Sequence, residues 1–181
     1  AASNPGTMRE DVGGGVFNAL RTAVRRGATA SLLSLRGGDA AGETMALALR
    51  EAGIADLSAT FLDRSTPSYT AILDNAGELV VGFADMALYD LAFPKQARRS
   101  SLREAAKAAD ALLVDANLPE AALGRLAELM QDKPVFAIAI SPAKVVRLRA
   151  IMERLTLAFL NRREVRALTG LDRGAPAAEI V

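Results

Sequence analysis

In ALLVDANLPEAALGRLAELMQDKPVFAIAI, residues 111–140, two apolar runs of strand length bracket a segment with helical spacing. Ala111–Asp115 and Pro134–Ile140 read as buried strands, and Pro119–Gln131 reads as the helix between them. Pro119 suits a first turn, where its missing N–H leaves no hydrogen bond unmade. A helical crossover returns the chain to the edge it left, so the two strands are expected to run parallel. Asp115 and Asn117 then fall at the C-terminal end of a strand, where open α/β sheets place ligands; a turn followed by a helix cap would explain the same residues.

The same alternation extends in both directions. Upstream, Val16–Arg26 reads as a helix ended by Gly27, Ala28–Leu35 as a strand, and Asp39–Ala52 as a helix closed by Gly53. A helix is expected around Ser101–Ala109. Downstream come a helix over Ala143–Arg154, a short strand near Thr156–Leu160, and a helix over Arg162–Leu168 stopped by Thr169-Gly170. Leu57–Met86 breaks the rhythm, with short, partly alternating runs at Leu57–Leu62, Ser68–Leu73 and Glu78–Phe83 around an Asp74–Gly77 turn. This stretch reads as an antiparallel insert. Met8–Val12 reads as another short strand, and PAAEIV (176–181) as the first turn of a helix without a body, so a piece of a longer protein is expected.

With 181 residues and 51% hydrophobic content, the chain suits one α/β domain with a well-buried core. Lys and Arg total 22 against 21 Asp and Glu, scattered along the sequence, which gives no support for a nucleic-acid polymer or an acidic membrane as partner. Cysteine and histidine are absent, which excludes disulfides, the usual zinc sites, and Ser-His or Cys-His nucleophiles. Chemistry falls to carboxylates, lysines, hydroxyls and backbone. No apolar run approaches a membrane span and no secretory signal opens the chain, so the simplest localisation is cytoplasmic.

GGGVFNALRTAVRRG, residues 13–27, sets consecutive glycines ahead of a helix. A bare helix N-terminus suits a phosphate, a carboxylate or the hydroxyl edge of a sugar, and a tight turn needing positive φ would use glycine equally. A dinucleotide fingerprint is disfavoured because the glycines are contiguous and the following strand ends in Arg36-Gly37-Gly38 rather than an acid. A Walker A loop fails for want of Gly-Lys-Ser/Thr.

Taken in order, Gly13, Gly14, Asn18 and Gly27, the segment RGGDAAGE (36–43), the antiparallel insert, LLVDANLP (112–119) and NRREVRALTG (161–170) resemble the PfkB, or ribokinase-like, carbohydrate kinases. SNPGTMRE, GELVVGFADM and the pairing of DANLP with SPAK are most similar to the pseudouridine kinases of that family. The resemblance implies a partial ribokinase-like domain over 1–181. Its fold would be α/β, a mostly parallel sheet flanked by helices, with a small antiparallel β lid formed by strands at about 7–12 and 57–86. It also implies ATP-dependent phosphorylation of a sugar or nucleoside hydroxyl.

By the same resemblance Gly13, Gly14, Asn18, Asp115, Asn117, Tyr69 and Asp85 face substrate, while Asn161, Glu164 and Lys144 serve the nucleotide. Glu164 would hold Mg²⁺ through water, as expected for an ion that takes few protein ligands, and a monovalent cation would fit the family. Taken alone, Asn18 suits a buried helix-interior amide, Glu164 a first-turn helix acid, and Lys144 a solvated lysine. The family's G-A-G-D segment, whose aspartate is the catalytic base, is expected beyond Val181, so this chain alone is expected to be inactive. Val16, Gly38, Ile138 and Leu160 depart from the family pattern. The departures keep open a second reading, a non-catalytic pseudokinase or binding module that self-associates through the lid as a homodimer.

Overall fold

The computed structural model describes residues 6–171. The 111–140 unit forms as the sequence predicts: β7 below is one strand of a parallel set whose helices pack on a shared core. In chain order the elements are α1 (Gly15–Arg25), β1 (Ala30–Leu32), β2 (Leu35–Gly37), α2 (Ala40–Glu51), β3 (Ile54–Asp56), β4 (Ala59–Phe61), β5 (Ser68–Leu73), β6 (Leu79–Asp85), α3 (Ala87–Gln96), α4 (Ser100–Ala108), β7 (Leu112–Asp115), α5 (Glu120–Met130), β8 (Val135–Ile138), α6 (Pro142–Val145), a 3₁₀ helix (Val146–Arg154), β9 (Leu157–Phe159) and α7 (Arg162–Thr169).

β7, β8 and β9 form a three-stranded parallel sheet in which Asp115 lies opposite Ile138 and Ile138 opposite Phe159. β1 pairs in parallel with β3, and β2 with β4. Hydrogen bonds from Leu57 N to Leu32 O and from Ala59 N to Ser34 O carry the pairing across the breaks. The strand expected over Ala28–Leu35 is therefore one edge of a longer parallel ribbon that runs on through Gly37.

That ribbon corrects the reading of Leu57–Leu62 as part of the antiparallel insert. α2, a helix of 12 residues, returns the chain to the edge from which it left, so the next strand must run parallel to the last. Among the described residues only β5 and β6 pair antiparallel, joined by a turn in which Asp74 Oδ1 accepts from the N–H groups of Ala76 and Glu78. The strand expected at about 7–12 also does not form. Met8 is exposed, Arg9 spends its charge on Asp11, and no strand among the described residues bonds to this segment.

α3 was hidden in the sequence by Pro94, which removes an N–H from within the helix. The main core joins Leu35, Phe93, Val114, Leu123, Ala137 and Leu148 between the sheet and α3, α5 and the 3₁₀ helix. A second, smaller cluster of Phe17, Leu49 and Ile54 seats α1 and α2 on β3. Leucine and β-branched residues at these positions supply the burial that orders the short strands. The hairpin β5–β6 contributes no buried residue to either cluster.

Candidate active site at the carboxyl edge of the sheet

Because the strands are parallel, the turns after β7, β8 and β9 and the helices they feed share one edge. The register row Asp115–Ile138–Phe159 marks it. The start of α1 joins the same edge: a Cβ added to Gly15 would lie 3.4 Å from Ile138 Cγ2 and 3.8 Å from Ile140 Cδ1. Gly15 thus sits over the register partner of Asp115.

Gly14 caps α1 with φ 109° and ψ 135°, a backbone that only glycine adopts without strain, and no side chain caps the helix. Among the described residues a Cβ on Gly13 or Gly14 would meet nothing within 4 Å, so they leave the space before this helix open. Conformation fixes the glycine at 14, and an uncapped, approachable helix N-terminus results. Asn18 is exposed, with Oδ1 accepting from Arg21 Nη2 at 3.1 Å. The alternative of a buried interior amide is set aside.

Asp115 Oδ1 accepts from Asn117 N at 2.9 Å, a local turn that folds the chain back after the strand. The side chain of Asn117, 9% exposed, then turns to Lys144, whose Nζ donates to Asn117 Oδ1 at 2.6 Å. Burial raises the Asp115 carboxyl above its ordinary value, against the opposing pull of the Asn117 N–H and the Lys144 charge. Burial, followed by the neighbouring Arg147 charge, lowers the Lys144 ammonium. Removal from water is the largest influence on both groups.

Three neighbours of this pair escaped sequence reasoning. The Tyr89 hydroxyl lies 2.9 Å from Ser34 Oγ, and it is raised by burial and by the Asp115 charge. Arg147 donates to the Asn117 carbonyl at 2.8 Å and pairs with Asp90 of α3 at 3.0 Å. A signal for Arg147 did exist, since it follows Lys144 by three residues and shares its helix face. Tyr89 and Asp90 lay in the helix that Pro94 concealed.

Asn161 and Glu164 form a reciprocal capping box at the start of α7. Asn161 Oδ1 accepts from the Arg163 and Glu164 N–H groups at 2.9 and 3.0 Å, and Glu164 Oε2 accepts from Asn161 N at 2.7 Å. Glu164 is 5% exposed. Among the described residues nothing hydrogen-bonds to its other oxygen, and no cluster of three or more acidic, histidine or cysteine side chains forms a metal cage. One such oxygen fits a magnesium ion that keeps its waters and touches protein through them.

Tyr69 and Asp85 lie apart from this edge, on the exposed hairpin. Tyr69 packs across Gly82, where a Cβ would collide with its ring, and Asp85 pairs in register with Ser68. The departures have local explanations. Ile138 packs beneath Gly15, and Leu160 is partly buried against the main core. A side chain at Gly38 would press on Leu62, with its Cβ 2.9 Å from Leu62 Cδ2. Val16 is half-buried in the first turn of α1.

RGGDAAGE proves to be a latch at the root of the hairpin. Asp39 accepts from Gly42 N, Thr66 Oγ1 and Thr66 N, and Thr66 Oγ1 in turn accepts from Gly37 N at 2.9 Å. The Thr66 hydroxyl, then the Thr66 and Gly42 N–H groups, hold the Asp39 carboxyl below its ordinary 3.8. A depressed carboxylate stabilises the fold fully above its unfolded pKa, and that contribution is lost as pH falls through the lower folded value. Urea midpoints measured from pH 6 downward are therefore expected to fall more steeply below about pH 4 for the natural chain than for D39N. Parallel curves would remove Asp39 from the acid response.

These features, a parallel sheet with an uncapped glycine-led helix and an N-x-x-E box at its carboxyl edge and a small two-stranded antiparallel sheet, define a ribokinase-like fold. The pfkB family carbohydrate kinase profile matches residues 1–180, and the chain belongs to that family. It is 28% identical over 172 residues to pseudouridine kinase of Escherichia coli (strain K12), covering 94% of this chain and 54% of the relative. The chain thus spans about half the length of that relative. A solved carbohydrate kinase from Agrobacterium tumefaciens is 49% identical with a TM-score of 0.85, over 95% of this chain and 57% of that one. Adenosine kinase of Anopheles gambiae, solved with P1,P4-di(adenosine-5) tetraphosphate, shares the fold at 18% identity and a TM-score of 0.76, over 87% and 52% of the two chains.

Proposed function

We propose that the full-length protein transfers the γ-phosphoryl group of ATP to a hydroxyl of a sugar or nucleoside, with pseudouridine the first substrate to test. The observation that carries this reading is the contact of Gly15 with Ile138, the register partner of Asp115. It brings the open α1 N-terminus and the Asp115–Asn117–Lys144 cluster to a single sheet edge. Gly13, Gly14 and Asn18 would hold ring hydroxyls, with Asp115 and Asn117 bounding the same pocket and Tyr69 and Asp85 closing over it from the lid. Lys144 would meet a phosphate, and Asn161 with Glu164 would arrange the nucleotide end. Magnesium, when bound, would neutralise phosphate charge there.

In the transfer, the substrate oxygen bonds to the γ-phosphorus as the bond to the β-bridging oxygen breaks, and ADP leaves with that oxygen. The hydroxyl proton passes to the aspartate of the G-A-G-D segment that the family resemblance implies, a segment that this reading places outside these 181 residues. We therefore expect the 181-residue chain to give no substrate-dependent ADP release in a coupled assay, and the full-length protein to phosphorylate pseudouridine. Turnover by the short chain at the full-length rate would refute the first expectation.

A second reading, a non-catalytic module that pairs through its lid, draws on the hairpin whose residues are exposed along both strands. Such an edge suits augmentation by a second copy, which would make a homodimer. A full-length protein that binds nucleosides but phosphorylates none would favour it.

A further inference from the structure

Lys144 donates one of its three N–H bonds to Asn117 Oδ1, and among the described residues the other two have no partner. Its orientation depends on where Asn117 is held. Asn117 is buried, and Arg147 Nη1 fixes its backbone carbonyl at 2.8 Å. The same guanidinium reaches Asp90 on α3 through Nη1 at 3.0 Å and Nη2 at 3.4 Å. α3 begins two residues after β6 ends, so Asp90 stands on the helix into which the lid hairpin runs.

We infer that Arg147 is a positioning residue for the phosphate-binding lysine, locking Asn117 against Lys144 and tying that pair to Asp90 beneath the lid. The inference rests on the reading of Lys144 as a nucleotide contact. A planar guanidinium presents its donors in a fixed fork that spans the carbonyl and the carboxylate, whereas the three donors of a lysine share one point on a flexible stem. Asp90 pairs with Arg147, and the charges of Asp115 and Asp90 oppose the repulsion that Arg147 exerts on Lys144. Without Arg147, the Asn117 carbonyl loses its partner, and the turn that aims the carboxamide loosens.

The test uses the full-length protein and equilibrium binding of a non-hydrolysable ATP analogue, with thermal melting recorded for each variant. K144M and R147M are each expected to weaken binding about tenfold. R147K is expected to restore only part of the loss, and D90N to cost about threefold. The double variant K144M/R147M is expected to bind no worse than K144M, because Arg147 acts through the lysine. Additive losses would mean that Arg147 meets the nucleotide directly or acts only through its charge, and would overturn the inference. Unchanged affinity in R147M beside a loss in K144M would overturn it while leaving the proposed function standing. Unchanged affinity in K144M would remove the inference together with the reading of Lys144 as a nucleotide contact. Should R147M fail to fold, D90N decides, and native affinity in that variant overturns the inference.

Discussion

Glutamine in place of Glu164 is expected to lower the turnover of the full-length protein about 10- to 100-fold while leaving α7 folded. The two roles of this residue separate at its two oxygens. Oε2 accepts the Asn161 N–H and completes the capping box, a task that a glutamine carbonyl performs equally well. The other position would become an amide nitrogen, which cannot accept a hydrogen bond from water on a magnesium ion. E164A is the contrasting variant, because it loses the box as well and is expected to cost about 1 kcal/mol of stability. Turnover titrated against Mg²⁺, beside urea midpoints for both variants, separates these effects. An E164Q protein with native turnover and native Mg²⁺ dependence would reduce Glu164 to its structural role.

Alanine at Gly37 is expected to destabilise the chain by about 3 kcal/mol, measured from urea midpoints. Gly37 is buried in β2, and its new Cβ would strike Arg64 O and approach Thr66 N to 2.7 Å and the Ser65 carbonyl carbon to 2.8 Å. The obstacles are backbone atoms, which cannot step aside as a side-chain tip can. They belong to the segment that Thr66 holds against Asp39 and the Gly37 N–H, so relief would cost the latch its hydrogen bonds. Gly13 is the control, since a Cβ there meets nothing within 4 Å, and G13A is expected to change stability by less than about 0.5 kcal/mol. Equal midpoints for the two variants would show that the loop gives way freely.

The residues that made the sequence legible are those whose constraints are local. Between residues 111 and 140, apolar run, helical spacing and apolar run predict β7, α5 and β8 to within a residue or two at most boundaries. N-x-x-E was visible through the family resemblance alone, and the structure adds that both halves of a capping box lie within its one turn. Pro94 concealed α3, because a proline normally ends a helix and here lies inside one that the core buries through Leu88, Ala92 and Phe93. The expected helix after Ser141 changes to 3₁₀ at Val146. The Asp39–Thr66 bond spans 27 residues, and the Arg147–Asp90 bond spans 57. Neither partner names the other until the fold brings them together. Gly13 and Gly14 carried opposite lessons: backbone conformation explains the second, and open space surrounds both.

The hairpin of β5 and β6 draws no cohesion from either core cluster, so its opening and that of the body are separable equilibria. A denaturation curve therefore reports on the body and is nearly blind to substitutions in the hairpin. Selection on those strands must act through whatever they close upon or pair with, and their sequence can drift at little thermodynamic expense to the domain that carries them.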